Sequence, residues 1–409
     1  MASEQEANTV SNLDTVSSLE GDVAVAPRLR PGGPGGPGET RRTAHLLPGA
    51  VPALLGLVTL GALVVLVAVS GAPLVGGLDL LLPVGLVLMV ALAYANGAND
   101  VSKAIATLVG SGVTNYRRAI AWGTACTVLG GAGSALLAAA LIGTFTKGFI
   151  AASVHQSERF ALAVLVGALL WVVLATRLAL PVSTTHAITG ALVTVGAVAY
   201  GAGNVQWRTL VQKVAIPLAL SPVLALALAL VVYLALRLTL ARLSPRALNV
   251  LHWLSSGTAS FARGLNDTPK IVALGVAFYL IAQHSAHYQA PPWLFALVAL
   301  GMGVGSLVGG WAVTTTLAEK VTRMDHTEGG AANLTTAVLV AAASNLGLPV
   351  STTHVSSGAI IGIGLREGIG RVRWRVVRDM VLAWLVTLPA AGILGVAAYY
   401  LLLLVRGGA

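Results

Sequence analysis

The chain has 409 residues, of which 56% are hydrophobic and only 10% are charged, and its mean hydropathy is +0.83. Because soluble globular proteins carry about 25% charged residues, this composition excludes an ordinary soluble protein and predicts an integral membrane protein. The formal net charge of +10 does not indicate nucleic-acid binding, because the Lys and Arg residues form short clusters between apolar runs, as loop charges do in membrane proteins.

The first 45 residues are predicted to form a disordered tail. Residues 1–26 contain acidic side chains and no basic one, which is not the pattern of a signal peptide. The Pro- and Gly-rich residues 31–38 cannot form a stable helix or strand. Cys126 is the only cysteine, so an intrachain disulfide is excluded.

After the tail, long apolar runs alternate with shorter apolar pieces. Roughly 20 apolar residues cross the hydrocarbon core of a bilayer, and such runs fall near residues 49–70, 78–96, 118–143, 158–180, 211–236, 291–313, 330–348 and 376–405. The shorter or interrupted pieces are 99–113, 183–203, 253–283 and 351–365. Together they predict an all-α polytopic membrane protein with about 10–12 membrane segments.

The interrupted pieces carry polar motifs that occur twice. Residues 94–100 read Tyr-Ala-Asn-Gly-Ala-Asn-Asp, and residues 261–267 read Phe-Ala-Arg-Gly-Leu-Asn-Asp. The sequence Leu-Pro-Val-Ser-Thr-Thr-His occurs at 180–186 and again, without a mismatch, at 348–354. Two motifs in the same order and at nearly equal spacing indicate an internal duplication. The predicted division is a first membrane repeat at 46–236, a loop at 237–250 and a second membrane repeat at 251–409.

Each Asn-Asp pair is predicted to begin a half-helix at membrane depth. Asn99-Asp100 and Asn266-Asp267 lie in apolar surroundings, where an ionisable residue is a functional candidate by default. Gly97 and Gly264 permit a break in the backbone, and Asn and Asp are frequent helix N-caps. Broken segments at matching places in two halves are typical of the binding site of a secondary transporter.

The second motif predicts two further half-helices, capped by Ser183 and Ser351. Four converging helix N-termini would present free N–H groups and partial positive charge, which favours an anion. The hydroxyl groups that would add donors belong to Ser183, Thr184, Thr185, Ser351, Thr352 and Thr353. Because the two carboxylates would repel an anion, cations or protons are expected between them, and the pattern favours coupled binding of an anion with cations.

At this point the motifs resemble the inorganic phosphate transporter (PiT) family. Residues 97–101, Gly-Ala-Asn-Asp-Val, match its signature fully, and residues 264–268 match it in part. The resemblance covers about residues 76–400, including 319–322 and 344–354, and implies an inverted-topology repeat with phosphate bound between the halves. It assigns phosphate and the coupling ions, sodium included, to Asn99, Asp100, Asn266 and Asp267. It assigns phosphate oxygens to Ser183, Thr184, Ser351 and Thr352.

The sequence departs from that family where a lysine follows each Asn-Asp pair. The family usually has Asn three residues after the Asp, whereas this chain has Lys103 and Lys270. Since residues i and i+3 are neighbours on a helix, each ammonium is expected to occupy the space of a coupling cation beside its carboxylate. A proton is therefore slightly favoured over sodium as the coupling ion. A structural ion pair between each Asp and its Lys is the alternative interpretation.

Other polar residues are given lesser roles. His186, His354 and Asn345 are expected one layer behind the substrate, in packing, substrate contact or proton relay. Arg263 stands where the family often has His, and Arg177 aligns with Asn345. Either arginine could contact the substrate or extend to a polar interface.

The predicted function is ion-coupled secondary transport of inorganic phosphate, without a cofactor, by a multi-pass protein of the plasma membrane. Its partners would be phosphate and lipid but no nucleic acid, and a homodimer is left open. A permease for sulfate or another tetrahedral oxyanion is the main alternative, and a passive anion channel is a third. An intramembrane protease would use Asp pairs or a Ser with a His, but such an enzyme needs groups with different roles, whereas every candidate here is duplicated.

Overall fold

The computed structural model describes residues 81–137, 139–282, 290–321 and 324–405, which are helical and contain no β-strand. The predicted tail and the apolar run at 49–70 lie outside these residues. The helices are α1 (Leu81–Asp100), α2 (Ser102–Gly110), α3 (Tyr116–Leu137), α4 (Ala139–Lys147), α5 (Glu158–Arg177), α6 (Thr184–Tyr200), α7 (Trp207–Leu240), α8 (Pro245–Ala282), α9 (Pro292–Gly309), α10 (Trp311–Lys320), α11 (His326–Asn345), α12 (Thr352–Arg366) and α13 (Trp374–Val405).

Six segments of the described residues are long and apolar enough to cross a membrane. They are Val84–Gly110, Tyr116–Leu137, Glu158–Arg177, Trp207–Leu240, Pro292–Gly309 and Trp374–Leu404. Large apolar side chains point outward from them, with Leu136 88% and Leu238 82% exposed. An exterior of this kind suits lipid rather than water, so the predicted all-α polytopic membrane fold is confirmed. The expected 10–12 segments also counted the shorter helices and residues 49–70.

Two predicted boundaries are corrected. The piece at 253–283 was expected to be interrupted, but it belongs to the continuous helix α8, which passes through Pro269. The connection between α7 and α8 is residues 241–244 rather than a loop at 237–250. A proline inside a helix removes one hydrogen bond and costs about 3 kcal/mol. We attribute the persistence of α8 to its burial against α3, α9 and α11, since packing outweighs local propensity.

The element order repeats along the chain, as the duplicated motifs predict. Helices α5, α6 and α7 correspond to α11, α12 and α13, and a short 3₁₀ turn precedes both α7 and α13, at Ala202–Asn204 and Ile369–Arg371. The first-half helix α1 packs on α9, and its counterpart α8 packs on α3. Likewise α6 packs on α13 and α12 packs on α7. Each half therefore completes the packing of the other, while the inverted topology stays a prediction.

Glycines permit the closest of these contacts. A Cβ atom on Gly97 of α1 would lie 1.9 Å from the carbonyl oxygen of Met302 in α9. A Cβ atom on the corresponding Gly264 of α8 would lie 2.2 Å from the carbonyl oxygen of Thr127 in α3. Such backbone contact is typical of helix pairs in membranes, where small residues let helices approach. It fixes the depth at which the two Asn-Asp pairs meet.

Candidate functional site

The two Asn-Asp pairs do not begin helices, and this prediction was wrong. Asp100 is the last residue of α1, Val101 separates it from α2, and no side chain caps the start of α2. Asn266 and Asp267 lie inside α8. The reason lies in the partners of these side chains. Both amides and both carboxylates are engaged by other polar groups, so none of them is free to cap its own helix.

The Ser-Thr-Thr-His motifs do begin helices, as predicted. An extended segment precedes α6 and another precedes α12. The hydroxyl oxygen of Ser183 accepts a hydrogen bond from the backbone N–H of His186, and Ser351 accepts one from His354, each at 3.3 Å. Two of the four expected helix N-termini are therefore present, and both face the buried centre that contains the Asn-Asp pairs.

An amide that the sequence analysis missed lies at this centre. The Nδ2 atom of Asn96 donates to Oδ2 of Asp100 at 3.3 Å, to Oγ1 of Thr184 at 2.9 Å and to Oδ2 of Asp267 at 3.4 Å. Oγ1 of Thr352 donates to the same Asp100 oxygen at 3.4 Å. Asn96 thus contacts both carboxylates and Thr184, and Thr352 contacts one of the same carboxylates. The sequence could have indicated Asn96, because it lies four residues before Asp100 and therefore on the same face of α1.

Both lysines lie beside their carboxylates, as predicted. Lys103 pairs with Oδ1 of Asp100, and its Nζ also donates to the carbonyl oxygen of Val182 at 3.0 Å. Lys270 Nζ lies 3.1 Å from Oδ1 of Asp267 and donates to the carbonyl oxygen of Val350 at 3.0 Å. Each ammonium is therefore held by a carboxylate and by the extended segment before α6 or α12.

The second Thr of each motif reaches across to the other half. Oγ1 of Thr185 accepts from Lys270 Nζ at 2.7 Å and lies 3.3 Å from the carbonyl oxygen of Val350. Oγ1 of Thr353 donates to the carbonyl oxygen of Val182 at 2.7 Å. The two halves therefore share one hydrogen-bonded centre. Every residue predicted to bind substrate is buried in it, and so are both lysines.

The motif asparagines hold the extended segments. Nδ2 of Asn99 donates to the carbonyl oxygen of Leu180 at 2.9 Å, and its Oδ1 accepts from the backbone N–H of Val182 at 3.2 Å. In the second half, Nδ2 of Asn266 donates to the carbonyl oxygen of Val350 at 3.2 Å. These contacts position the starts of α6 and α12.

Asn345 does not lie behind the site, contrary to expectation. It is exposed at the end of α11. Its neighbour Ser344 is buried instead and donates to Oδ1 of Asn266 at 3.0 Å. Successive helix residues point about 100° apart, because the α-helix has 3.6 residues per turn, and this one-residue offset decides which of the two side chains faces inward.

The two motif histidines meet behind the serine caps. The rings of His186 and His354 stack with centroids 4.6 Å apart. Nδ1 of His354 lies 2.7 Å from Oγ of Ser351, and the ring packs on Trp384 at 3.9 Å. Their expected place one layer behind the substrate stays a prediction. Contact between the histidines of the two halves was not visible in the sequence.

The two arginines singled out in the sequence differ. Arg177 is exposed at the end of α5. Arg263 is 2% exposed, so extension to a polar interface is excluded for it. Its Nη2 donates to Oγ1 of Thr127 at 2.8 Å. The buried centre thus contains three basic side chains, those of Lys103, Lys270 and Arg263, and two carboxylates.

The sequence is similar to those of a family of known proteins. The phosphate transporter family model matches residues 96–395. A Rhizobium meliloti protein named "Probable low-affinity inorganic phosphate transporter" is 30% identical over 313 residues, or 75% of this chain and 92% of that protein. A Mycobacterium bovis protein of the same name is 32% identical over 335 residues, covering 80% of this chain and 79% of that protein.

A solved structure titled "The sodium-dependent phosphate transporter" has the same fold. It aligns with a TM-score of 0.73 at 24% identity, over 79% of this chain and 99% of that chain. The names of these relatives describe transport proteins rather than enzymes, which agrees with the prediction and leaves no support for an intramembrane protease. The match of the family model over most of the sequence shows that this chain belongs to the phosphate transporter family.

Proposed function

We propose that the chain is a secondary active transporter of inorganic phosphate in the plasma membrane. Family membership carries the choice of substrate class. The anion would bind where the N-termini of α6 and α12 face the two Asn-Asp pairs. Helix N-termini offer N–H groups and partial positive charge to an anion. Transport needs no cofactor in this proposal.

The proposed phosphate ligands come equally from both halves. Thr352 donates to Asp100 directly, and Thr184 is linked to Asp100 through Asn96. An anion could replace these contacts and accept hydrogen bonds from the two hydroxyl groups. The remaining proposed ligands are the duplicated Ser183, Thr185, Asn99, Asn266, Asp267, Ser351 and Thr353. Because all of these side chains are buried, binding and release require the bundle to open, as transport through a closed centre does.

We propose a proton rather than sodium as the coupling ion, because each lysine occupies an oxygen cage. Hard cations are held by carboxylate, carbonyl and hydroxyl oxygens. The ammonium of Lys270 is surrounded by that set: Asp267 Oδ1, Val350 O and Thr185 Oγ1 at 2.7–3.1 Å. An ammonium offers three donors to such oxygens. The tethered charge would take the place that a mobile sodium ion would need.

Phosphate uptake by the purified protein in proteoliposomes tests both parts of the proposal. Sodium and proton gradients are imposed separately, with radiolabelled phosphate outside. We expect accumulation driven by the proton gradient and unchanged when sodium is replaced by choline. Sodium-dependent uptake by the unmodified protein would contradict the coupling proposal alone. Absence of any phosphate uptake under either gradient would contradict phosphate transport itself.

Competition in the same assay tests the choice of anion. Unlabelled phosphate and arsenate, which are protonated tetrahedral oxyanions at neutral pH, should suppress uptake, and sulfate should suppress it less. Stronger competition by sulfate than by phosphate would identify the chain as a sulfate permease built on the same fold. Uptake that equilibrates without accumulation would identify a passive channel.

A further inference from the structure

Arg263 is a buried cation without an ion-pair partner among the described residues. It is 2% exposed and lies on α8, one turn before Asp267. It forms one hydrogen bond, to Thr127, and no ion pair within the described part of the chain. Its Nε and Nη1 atoms are buried without a hydrogen-bond partner there. Three of its five N–H groups belong to those two nitrogens.

Burying a charged group without partners is costly, because the lost hydration is not replaced. The two lysines of the same centre are each satisfied by a carboxylate and a carbonyl oxygen. The guanidinium retains three free donors, whereas Lys103 retains one and Lys270 none. Because the guanidinium is this unfavourable in the closed centre, we look to the substrate for its missing partner.

The duplication shows which way Arg263 faces. It occupies the position that Asn96 holds in the first half, 167 residues earlier. Asn96 contacts both carboxylates and Thr184. Since side chains four residues apart share a helix face, Arg263 and Asp267 face the same side of α8. Both carboxylates lie near enough for their charges to act on the guanidinium.

The charges of the centre give the same result. Asp100 pairs with Lys103 and Asp267 pairs with Lys270. Arg263 adds a third positive charge, so the centre carries one net positive charge when these groups have their ordinary ionisation. A monovalent anion would neutralise it. The extra positive charge exists because the second half has Arg263 where the first half has Asn96. A search for residues that are identical in the two repeats does not find it.

We propose that Arg263 is a direct ligand of the transported oxyanion and the residue that sets the affinity of the site for it. Its free N–H groups bind the anion's oxygens, while Thr127 holds the other side of the guanidinium. The identity of the anion as phosphate rests on the proposed function, but the role of Arg263 needs only a tetrahedral oxyanion.

The test is phosphate binding to the purified protein in detergent, measured by isothermal titration for the wild type and for Arg263→Gln, Arg263→Lys, Thr127→Val and Arg177→Gln. Charge-assisted hydrogen bonds are strong enough that Arg263→Gln should weaken binding about 10- to 100-fold. Arg263→Lys keeps the charge with fewer donors and should weaken it by a smaller factor. Arg177→Gln, at an exposed arginine, should bind like the wild type.

A melting measurement separates a ligand from a structural residue. Without phosphate, Arg263→Gln should melt at or above the wild-type temperature, because an unbalanced buried charge is removed. With phosphate, the wild type should gain stability by mass action, and Arg263→Gln should gain much less. A merely structural arginine would give the opposite pattern, with a lower melting temperature in the absence of phosphate.

Several results would overturn the proposal. One is phosphate binding by Arg263→Gln as tight as that of Arg177→Gln. Another is a loss on Thr127→Val as large as that on Arg263→Gln, which would make the contact between α3 and α8 the cause. If Arg263→Gln does not fold, Arg263→Lys decides, and wild-type affinity in that variant contradicts the proposal. If the wild type binds sulfate and not phosphate, the proposed function fails, and the same variants titrated with sulfate still test Arg263.

Discussion

Lys103 and Lys270 are the residues on which the choice of coupling ion depends. Each bonds to its carboxylate and to a carbonyl oxygen of the segment before α6 or α12. Replacing them by the Asn usual in the resembled family would remove the tethered charge and leave those oxygens free. We expect Lys103→Asn, Lys270→Asn and above all the double variant to gain sodium-dependent phosphate uptake in proteoliposomes.

Lys213→Asn is the matched control, because Lys213 is exposed on α7. It should leave uptake sodium-independent. Loss of transport in the lysine variants at every sodium concentration would contradict the cage interpretation. It would mean that the lysines bind the anion themselves.

At the residue scale, duplication determined how much of the centre could be predicted. Asp100, Asp267 and the Thr residues were identified because each occurs twice in one register, and the structure brings them together. Asn96 escaped because the two halves differ there. Arg263 stood out only against the family pattern, and the sequence left it between substrate contact and a polar interface. Ser344 escaped because the choice between it and Asn345 depends on the rotation of α11, which a sequence of small apolar residues does not fix.

At the element scale, the starts of α6 and α12 could be predicted and the course of α8 could not. The Pro-Val-Ser sequence favours an extended segment followed by a helix whose N-cap is Ser183 or Ser351. For Asn266 and Asp267 the capping propensity was outweighed by tertiary contacts, because Asn266 donates to the Val350 carbonyl and Asp267 accepts from Asn96 of α1. Helix propensity is a weak guide wherever a polar side chain has a partner on another helix.

The contact between α1 and α9 depends on Gly97. A Cβ atom there would lie 1.9 Å from the Met302 carbonyl oxygen, so Gly97→Ala must push the two backbones apart. Overpacking of this kind costs about 1–3 kcal/mol. We expect a lower melting temperature in detergent for Gly97→Ala.

Gly203→Ala is the control for this substitution, because nothing lies within 4 Å of a Cβ atom at Gly203. The two variants should differ clearly in melting temperature. Equal melting temperatures would show that α1 and α9 can separate without cost, and the close contact would then not fix the depth of Asp100.

On the scale of the whole molecule, the two halves end differently although their helices correspond. In the second half, buried Glu328 at the start of α11 pairs with Arg366 at the end of α12, and the Arg366 guanidinium lies 4.4 Å from the ring centre of Tyr233. At the matching place in the first half, the start of α5 contacts Tyr200 through Ser157 and Phe160. The second half therefore has an ion pair at this place, whereas the first half has a tyrosine that contacts a serine and a phenylalanine.

We expect the start of α11 and the end of α12 to loosen when their ion pair is removed, while the start of α5 and the end of α6 do not change. Glu328→Gln is a selective substitution, because Gln can keep the capping box that Glu328 forms with Asp325 and loses only the charge. Removing the buried carboxylate of Glu328 leaves Arg366 with only the exposed Glu367 as an ionic partner. Hydrogen–deuterium exchange followed by mass spectrometry should then speed up at the start of α11 and the end of α12, and stay constant at the start of α5 and the end of α6.

Glu367→Gln is the control, because Glu367 also contacts Arg366 but is itself exposed. Exposed ion pairs contribute about 0–1 kcal/mol, so its exchange pattern should match the wild type. Uniform faster exchange in Glu328→Gln in both halves would mean that the two halves open as one unit. A change confined to α11 and α12 would mean that the two halves open separately, as alternating access to a buried centre requires.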